Sequence, residues 1–455
     1  MSAALYALLA YSIDRSQFTG LLGLYFLVVW GYSIRVRAIP ELTTVAGPDR
    51  FFILSAVIFR VILLLAPPSL SDDYARFACD GRLLVHGYNP YLYLPRLLSG
   101  TSMAQPAGLT DELFSRLNSP DYFTVYPPLN QVFFGLAAWL GGNDLPATVI
   151  WLRVPILLAE IGTILLLPRF LKRLGKNPNY ALIYALNPLV VLELTGNIHF
   201  EGVVIFFCLL AIWLLVGEQK EMISHSRNKI SLFHLLLSAF VFALAVGTKM
   251  LPLIGLPLLI RYLGWRNGLI YSTAVGAVTM AMFLPFASIE LIQNVGSSIN
   301  LYFQKFEFNA SVYYLVREVG YWLKGYNVIQ FVGPWLSLIT LLGITWLAFG
   351  RIKMSFGTRL LLTLTLYFAM ATTVHPWYIT LVVMASIFTP FRYPLVWSAL
   401  VWASYATYQR EPYHENLWLT AAEYTVVVGI GLQEWGHYRK QIQTESEVLH
   451  NNLPG

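Results

Sequence analysis

The chain alternates long apolar runs with short polar connections, and the pattern recurs along almost its whole length. A helix needs about 20 mostly apolar residues to cross a bilayer core, and the apolar residues here are consecutive, as in membrane helices. The pattern therefore predicts an all-α polytopic membrane protein with about thirteen transmembrane helices. The predicted spans are 18–34, 51–67, 147–168, 179–194, 199–217, 230–248, 250–263, 267–286, 328–349, 358–373, 376–390, 394–408 and 417–436.

Two polar stretches are long enough to carry structure of their own, at 68–146 and 287–327. No soluble module separates the spans, so we expect one integral-membrane domain over 1–455, with a cytoplasmic tail at 437–455. The run at 3–13 is short for a crossing and is interpreted as a half-helix. The second long stretch is rich in aromatic residues. It would either cover a cavity and bind a ligand there, or pack its rings on the membrane surface.

Basic residues concentrate in the short connections, which favours a cytoplasmic position for those connections. The basic segments are 35–37, 169–173, 227–229, 261–266 and 351–353. Both long stretches then lie on the opposite side, provided that 127–142 is an amphipathic helix on the outer surface and not a span. We therefore predict a multi-pass protein of the cell inner (plasma) membrane, with its active site and juxtamembrane helices on the periplasmic or extracytoplasmic side.

Composition supports this class. Of the 455 residues, 57% are hydrophobic and only 12% are charged, and the mean hydropathy is +0.59. A soluble domain cannot bury so much apolar surface. The net charge of +6 is explained by the basic connections, so no nucleic-acid partner is expected. Cys79 and Cys208 lie in unlike settings, which predicts neither a disulfide nor a metal site.

Polar residues gather at span ends that the predicted topology directs outward. These segments are 195–202 (TGNIHFEG), 247–251 (GTKML) and 372–378 (TTVHPWY), and the adjacent acids Asp72 and Asp73 fall at the same level. A charged side chain at the bilayer centre costs about 2.5–3.5 kcal/mol on the insertion scale. Convergence of such groups at one depth therefore predicts a single cavity that opens outward.

Four further charged residues lie inside predicted spans: Arg60, Arg153, Glu160 and Glu193. Charged groups within a membrane usually pair with one another. We therefore expect Arg60 or Arg153 to meet a buried glutamate in a structural role.

The segment 71–91, SDDYARFACDGRLLVHGYNPY, begins where an apolar run ends. Ser71 or Asp72 suits a helix N-cap, and in the following helix Asp72, Arg76 and Asp80 share one face. One carboxylate can cap the helix while its neighbour, beside an apolar boundary, acts as a base. The plain alternative is that the acids only cap the helix and pair with Arg76.

This segment resembles the opening motif of bacterial GT-C superfamily glycosyltransferases, roughly D-D-x-x-R-Y-x-W-D-G-R-x-x-x-x-G-x-N-P-Y. The chain is similar to the polyprenyl-phosphate-mannose-dependent mannosyltransferases of that superfamily. Later segments keep the family's order over nearly the whole chain: 124–131, 196–207, 248–259 and 375–379. Cys79 stands where an aromatic residue is usual, and Glu201 stands where Asn or Asp is usual, which bears on donor or acceptor preference.

The resemblance implies that a hexose, with mannose favoured, moves from a polyprenyl-phosphate carrier to a hydroxyl of an extracytoplasmic glycan or glycolipid, with inversion. Such a hexosyltransferase needs a general base near the acceptor hydroxyl and cations for the phosphate. It also needs an apolar groove, open to membrane lipid, for the isoprenoid tail. The sugar needs aromatic faces and polar edges.

Following the family, Asp72 is the predicted base, and Asp73 is the second candidate or the partner that orients it. Lys249 stands alone between two apolar spans and is assigned to the donor phosphate, although a lysine there would also snorkel to headgroups. The other residues assigned to the donor phosphate and lipid are Arg76, Arg82 and His375. The residues assigned to the sugar or the acceptor are His199, Glu201, Asn89, Tyr91, Tyr126, Trp377 and Tyr378.

Structural alternatives stay open for these residues. Arg76 and Arg82 would pair with Asp80, the histidines would simply be hydrogen-bonded, and Trp377 and Tyr378 would belong to an interfacial aromatic belt. No cofactor is expected, and the site is expected to be metal-independent, although two adjacent carboxylates would also suit a divalent cation.

Two other functions remain open for the whole protein. One is a transporter or flippase of a lipid-linked sugar, in which matched broken helices are expected. The other is a non-catalytic scaffold of an envelope-glycan complex.

Overall fold

A computed structural model describes residues 1–39, 47–216, 230–409 and 412–451, so the basic segment 227–229 lies outside the described residues. Within the described ranges every regular element is helical, and β pairing is limited to one bridge between Phe308 and Thr373. The all-helical class is therefore confirmed. The helices are α1 Ser2–Tyr11, α2 Phe18–Arg37, α3 Arg50–Ile62, α4 Asp73–Val85, α5 Asp111–Ser115, α6 Pro128–Gly141, α7 Leu145–Arg173, α8 Ala181–Ala185, α9 Pro188–Gly196, α10 Glu201–Val216, α11 Leu232–Thr248, α12 Leu251–Leu263, α13 Trp265–Phe286, α14 Ile289–Lys305, α15 Val312–Lys324, α16 Ile329–Phe349, α17 Phe356–Met370, α18 Pro376–Ser386, α19 Tyr393–Leu400 and α20 Leu417–Asn451.

Four of the described helices are long and apolar enough to cross a membrane: α2, α7, α13 and α16. The pair α9 and α10 passes the same criterion together but is bent by 112°. Five shorter apolar helices of 10–17 residues accompany them, namely α1, α11, α12, α17 and α18. The protein is thus a multi-pass helical membrane protein, but the predicted number of thirteen spans is not confirmed.

Proline explains why the predicted span 179–194 is not a single helix. Pro178 and Pro188 each stand at the start of a new helical segment, where the missing N–H of proline costs nothing. The preceding residues, Asn177 and Asn187, cap these segments: Asn187 accepts a hydrogen bond from the N–H of Leu189 at 3.0 Å. A hydropathy pattern does not register these interruptions, because both segments stay apolar.

The long stretch 68–146 folds around the contact between α4 and α6. Phe77 stacks on Phe134 with ring centroids 4.4 Å apart. A Cβ at Gly81 would lie 2.2 Å from the carbonyl oxygen of Phe134, so glycine is required for this close approach. At 14 residues, α6 is short for a crossing and leaves large apolar residues such as Trp139 exposed, as expected of a helix at a membrane surface.

The second long stretch, 287–327, forms α14 and α15 and contacts the first stretch directly. The Asn294 side chain donates a hydrogen bond to the carbonyl oxygen of Tyr91 at 3.0 Å. The Asn89 side chain donates to the carbonyl oxygen of Phe286 at 3.1 Å. The two long stretches therefore lie together at one end of the helices. The cytoplasmic assignment of 437–455 stays a prediction.

One buried arginine of the spans meets a glutamate, as expected. Arg60 and Glu160 are fully buried and form an ion pair at 2.8 Å, and the Tyr184 hydroxyl donates to the same carboxylate at 2.5 Å. Arg153 instead binds main-chain oxygens, among them those of Thr195 and Gly196 at 2.9 and 2.7 Å. It therefore ties α7 to the C-terminal end of α9.

Candidate functional site

The break between α9 and α10 positions the first group of site residues. The last six residues of α9, Val191–Gly196, form a π-helical turn, a widening that often accompanies function. Ile198 then adopts φ of +63°, a left-handed conformation that is strained for a β-branched residue. This turn places His199 and Glu201 inside the protein, each 1% exposed. Arg153 holds the carbonyls that precede it.

The acid pair lies at the start of α4. Asp72 occupies the N-cap position, but its side chain makes no capping hydrogen bond. It forms an ion pair at 2.8 Å with Arg15, which lies between α1 and α2, and 36% of the Asp72 side chain is exposed. Ser71 instead accepts the N–H of Asp73 at 3.3 Å. The Asp72 carboxylate is therefore accessible, is oriented by the Arg15 guanidinium and does not cap the helix.

Asp73 is half-buried, like Asp72, but has different partners. Its carboxylate accepts a hydrogen bond from the Asn118 amide at 2.8 Å and lies 3.5 Å from the Tyr126 hydroxyl. Burial raises the pKa of Asp73, whereas the Asn118 hydrogen bond and the positive charge of Lys249 act to lower it. The acid pair and Lys249 thus belong to one electrostatic environment.

The sequence suggested that Lys249 stands alone, but in the structure it has close partners. It follows directly after α11, and its Nζ lies 2.5 Å from Oε1 of Glu201 and 5.8 Å from the centre of the Tyr378 ring. The second carboxylate oxygen of Glu201 is buried and has no hydrogen-bond partner among the described residues. The Lys249 side chain, held by one carboxylate and one aromatic face, is still 22% exposed. A ligand can therefore reach it.

Two histidines stack on Trp377. The His199 and His375 rings lie 3.7 and 4.3 Å from the indole ring, at 15° and 6°. Trp377 is only 8% exposed, so it is not part of an interfacial belt. Its rings contact the imidazoles in this structure, and direct sugar stacking by Trp377 stays a prediction.

Both histidines keep a nitrogen unused. Nε2 of His199 and Nδ1 of His375 are buried without a hydrogen-bond partner in the described part of the chain. The carboxylate of Glu193 lies 3.6 Å from Nε2 of His199, beyond hydrogen-bonding distance. Burial, with a smaller effect of Lys249, lowers the pKa of His375 to about 3. His375 is therefore neutral near pH 7 and would act through hydrogen bonding rather than charge.

Arg76 and Arg82 hold the 68–146 stretch together. Arg76 pairs with Asp80 at 2.8 Å and donates to the carbonyl oxygen of Tyr122 at 2.6 Å. The structural alternative predicted that Arg82 pairs with Asp80. Arg82 instead donates hydrogen bonds to the carbonyl oxygens of Gly108 and Asn143. Both arginines are 3% exposed. These contacts support structural roles, and phosphate binding by either residue stays a prediction.

Asn89, Tyr91 and Tyr126 form a chain of contacts below the acid pair. Asn89 accepts the N–H of Tyr91 at 3.1 Å, and the Tyr91 hydroxyl donates to the carbonyl oxygen of Tyr126 at 2.6 Å. Tyr91 is only 1% exposed. Here Asn89 and Tyr91 position Tyr126, whose hydroxyl faces Asp73. A direct sugar contact by any of the three stays a prediction.

Several residues of the site escaped the sequence reasoning. Arg15 and Asn118 contact the acid pair from distant segments, and the Tyr405 hydroxyl donates to Glu193 at 2.7 Å. Tyr408 lies beside Arg15, 5.7 Å from its guanidinium. None of these four residues carries a recognisable signal in the sequence. Glu193, the partner of Tyr405, did carry one, because it is an acid inside a predicted span. In the described residues, no cluster of three or more His, Cys, Asp or Glu side chains suits a metal ion.

The features above define a class: a multi-pass helical membrane protein in which an acid pair at the start of a helix lies within the electrostatic influence of a lysine. The chain belongs to the MptA_B family, whose model is described as "Alpha-(1->6)-mannopyranosyltransferase, N-terminal domain" and matches residues 6–264, more than half of the chain. This family confirms the resemblance seen in the motifs.

One similar curated protein is alpha-(1->6)-mannopyranosyltransferase A of Mycobacterium tuberculosis (strain ATCC 25618 / H37Rv). The two are 27% identical over 254 residues, which is 53% of this chain and 44% of the relative. The chain thus matches less than half of the relative's length. No solved structure matches the chain.

Proposed function

We propose that this protein transfers a hexose, mannose in the first instance, from a polyprenyl-phosphate carrier to a hydroxyl of an extracytoplasmic glycan or glycolipid. The family and the mannosyltransferase relative support sugar transfer. The observation that carries the proposal is the geometry at Lys249, whose Nζ is held 2.5 Å from Glu201 and 5.8 Å from the Tyr378 ring. The charge of Lys249 also acts on the pKa values of Asp73 and His375.

Asp72 is the general base of the proposal. An acceptor arriving from the aqueous side needs a carboxylate that it can reach, and 36% of the Asp72 side chain is exposed. The charge-assisted hydrogen bond from Arg15 fixes the direction of its oxygens. Asp73, held by the Asn118 amide at 2.8 Å, lies next to it in the chain and supports it.

In the reaction, the acceptor oxygen forms a bond to the anomeric carbon while the bond from that carbon to the phosphate oxygen breaks. The electron pair leaves with the polyprenyl phosphate, which gains a negative charge, and the acceptor proton passes to the carboxylate of Asp72. Attack from the face opposite to the phosphate gives inversion. Lys249 would stabilise the charge that develops on the leaving phosphate.

The orphaned nitrogens near Lys249 fit the same role. A phosphate oxygen would satisfy Nε2 of His199 or Nδ1 of His375, which otherwise stay buried and unpaired. Glu201 would hold Lys249 in place until the phosphate competes for it. Tyr378 and Tyr126 would then border the space for the sugar. The scheme needs no metal, because the cation is a side chain.

A mainly apolar pocket of only about 20 Å³ lies next to the motif, and it would have to widen to take part of the isoprenoid tail. It is bordered by α1, α2, the end of α3 and the C-terminal part of α9, and Leu70 and Asn197 line its side near Asp72. Leu63 and Leu192 give it hydrocarbon walls. The site would face the periplasm or another extracytoplasmic space at the inner membrane, opposite to the basic connections.

The test is an assay of purified full-length protein with polyprenyl-phosphate mannose of known anomeric configuration and an envelope glycolipid fraction. We expect a product heavier by one hexose, with the opposite configuration at the new linkage by NMR. A flippase would leave the donor intact but move it across a vesicle membrane, and a scaffold would do neither. Either result would overturn the proposal, whereas transfer of glucose or galactose in place of mannose would correct only the sugar.

A further inference from the structure

A second polar feature lies at the other end of the helices and takes no part in the proposed reaction. An open cleft of about 190 Å³ separates the connection between α16 and α17 from the C-terminal part of α20. It is lined by Ile352, Lys353, Met354, Trp435, Tyr438 and Arg439. Its wall is thus apolar and aromatic, with two cations.

The cleft is remote from the candidate site. Helix α17 has 15 residues and begins beside the cleft at Phe356, whereas its C-terminal end leads to His375. At 1.5 Å per residue this helix separates the two regions by about 22 Å. A ligand in the cleft is therefore a different ligand from the one bound near Lys249.

The cleft lies among helix ends that carry aromatic side chains. Aromatic residues cluster at the same helix ends, as Trp265 stacks on Phe349 at 5.1 Å and Tyr262 packs on Phe356 at 5.6 Å. Such rings are typical of the boundary between hydrocarbon and water.

The walls of the cleft are firmly held. Phe391 packs on Tyr438 at 5.2 Å and on Trp435 at 6.2 Å. On the other side, the buried Arg359 donates to the main-chain oxygens of Leu347 and Ile352 and so fixes the connection. The cleft is therefore a built feature and not a gap between loose segments.

Its two cations have no acid to neutralise them. Lys353 and Arg439 are exposed and form no ion pair with any described residue. The nearest acid along α20, Glu434, is already engaged with the N–H groups of Arg392 and Tyr393 at 3.0 Å. Positive charge above an apolar wall is complementary to an amphiphile with an anionic head.

We propose that this cleft binds the phosphate headgroup of an anionic phospholipid, with Lys353 and Arg439 on the phosphate and Trp435 and Met354 against the first part of the acyl chains. Basic pockets between helices at a membrane surface bind such headgroups. The bound lipid would bridge the α16–α17 connection and α20.

The experiment measures lipid-dependent thermal stability of the purified full-length protein in detergent. Phosphatidylglycerol, phosphatidylcholine with the same acyl chains, and inorganic phosphate are titrated separately. We expect phosphatidylglycerol to raise the melting temperature saturably and the other two to have little effect. In the K353Q/R439Q variant the apparent affinity for phosphatidylglycerol should fall about 25-fold, since each basic residue near an anionic lipid contributes about a factor of five.

The matched control is K172Q/R266Q, which removes the same charge from exposed positions at other helix ends. It should keep the wild-type response to phosphatidylglycerol. Equal affinity in K353Q/R439Q, or an equal response to phosphatidylcholine, would overturn the proposal, and an equal response to inorganic phosphate would reassign the cleft to soluble anions. If the double variant does not fold, Lys353→Gln alone should weaken binding about fivefold. Because the readout is binding, its failure leaves the proposed sugar transfer untouched.

Discussion

The candidate site and the basic cleft lie at opposite ends of the same helices and hold their charges in opposite ways. In the site, the Arg15–Asp72 and Lys249–Glu201 pairs are closed at 2.8 and 2.5 Å, beside buried nitrogens that lack partners. In the cleft, Lys353 is exposed and unpaired with any described acid. Charges that are fixed by partners act strongly on a transition state, whereas unpaired exposed charges are screened and suit reversible binding.

The largest expected difference between the two ends comes from Asp72. Asp72→Asn keeps the shape of the side chain but removes the proton acceptor, so the turnover number for hexose transfer should fall about 10³-fold. The measurement is the rate of product formation at saturating donor. Asp111→Asn, in an exposed helix of the same stretch, should stay close to the wild type. If Asp73→Asn abolishes transfer and Asp72→Asn does not, the base is Asp73.

Lys249 should have the second largest effect. Lys249→Gln removes the charge that stabilises the leaving phosphate, and the turnover number should fall about 10²-fold. Lys249→Arg should recover part of this loss, which a purely structural role would not predict. The control is Lys324→Gln on α15, an exposed lysine. An unchanged turnover number with only a higher KM would contradict a role for Lys249 in the transition state.

Two glycines sharpen the contrast in packing. Gly81→Ala places a Cβ against the main chain of Phe134 and should destabilise the protein by about 1–3 kcal/mol, with a matching loss of activity because α4 carries the acid pair. Gly429→Ala, in open space on α20, should instead be neutral or stabilising by up to about 1 kcal/mol. The measurement is the melting temperature of each variant and of the wild type in the same detergent and lipid. Equal effects would mean that the α4–α6 contact is looser than described.

Asp73 links the site to pH. Burial raises its pKa above that of an unfolded-state carboxyl, so this group favours the folded state at low pH, and the advantage is lost as pH rises through the folded-state pKa. Asp73→Asn should therefore stabilise the protein at neutral pH relative to the wild type, and the difference should shrink as pH falls. Melting temperatures at several pH values measure it.

Removal of the Asn118 hydrogen bond tests the same carboxylate by another route. This hydrogen bond lowers the pKa of Asp73, so Asn118→Ala should raise it and move the acidic limb of the activity profile to higher pH. An exposed polar residue of the same stretch, Gln105, provides the control as Gln105→Ala. A profile that stays in place would show that the ionisation of Asp73 does not matter for transfer.

The smallest effect is expected at the basic end. Lys353→Gln should change the rate of sugar transfer less than twofold at saturating lipid, because the cleft is about 22 Å from the candidate site. The same assay as for Asp72 measures it. A tenfold loss would mean that the two ends are coupled.

Much of the fold was predictable, since burial of apolar residues in a membrane follows directly from local hydropathy. The ion pair of Arg60 with Glu160 was also foreseen, because unpaired charges are costly in such spans. The breaks at Pro178 and Pro188 were not, because each short piece remains apolar. The position of Trp377 was not predictable either, because its place in the sequence suits an interfacial aromatic belt as well as a site. Only its stacking on two histidines shows that it lies inside the protein.

The sequence by itself determined the class of the protein, its helical membrane architecture and the motif with Asp72 and Asp73. These follow from composition, from short-range periodicity and from residues that are neighbours in the chain. Only the tertiary structure decided that Arg15 orients Asp72, that Glu201 holds Lys249 and that Lys353 and α20 line one cleft. Such contacts join residues up to about a hundred positions apart, and their geometry depends on how whole helices pack, which no local pattern encodes.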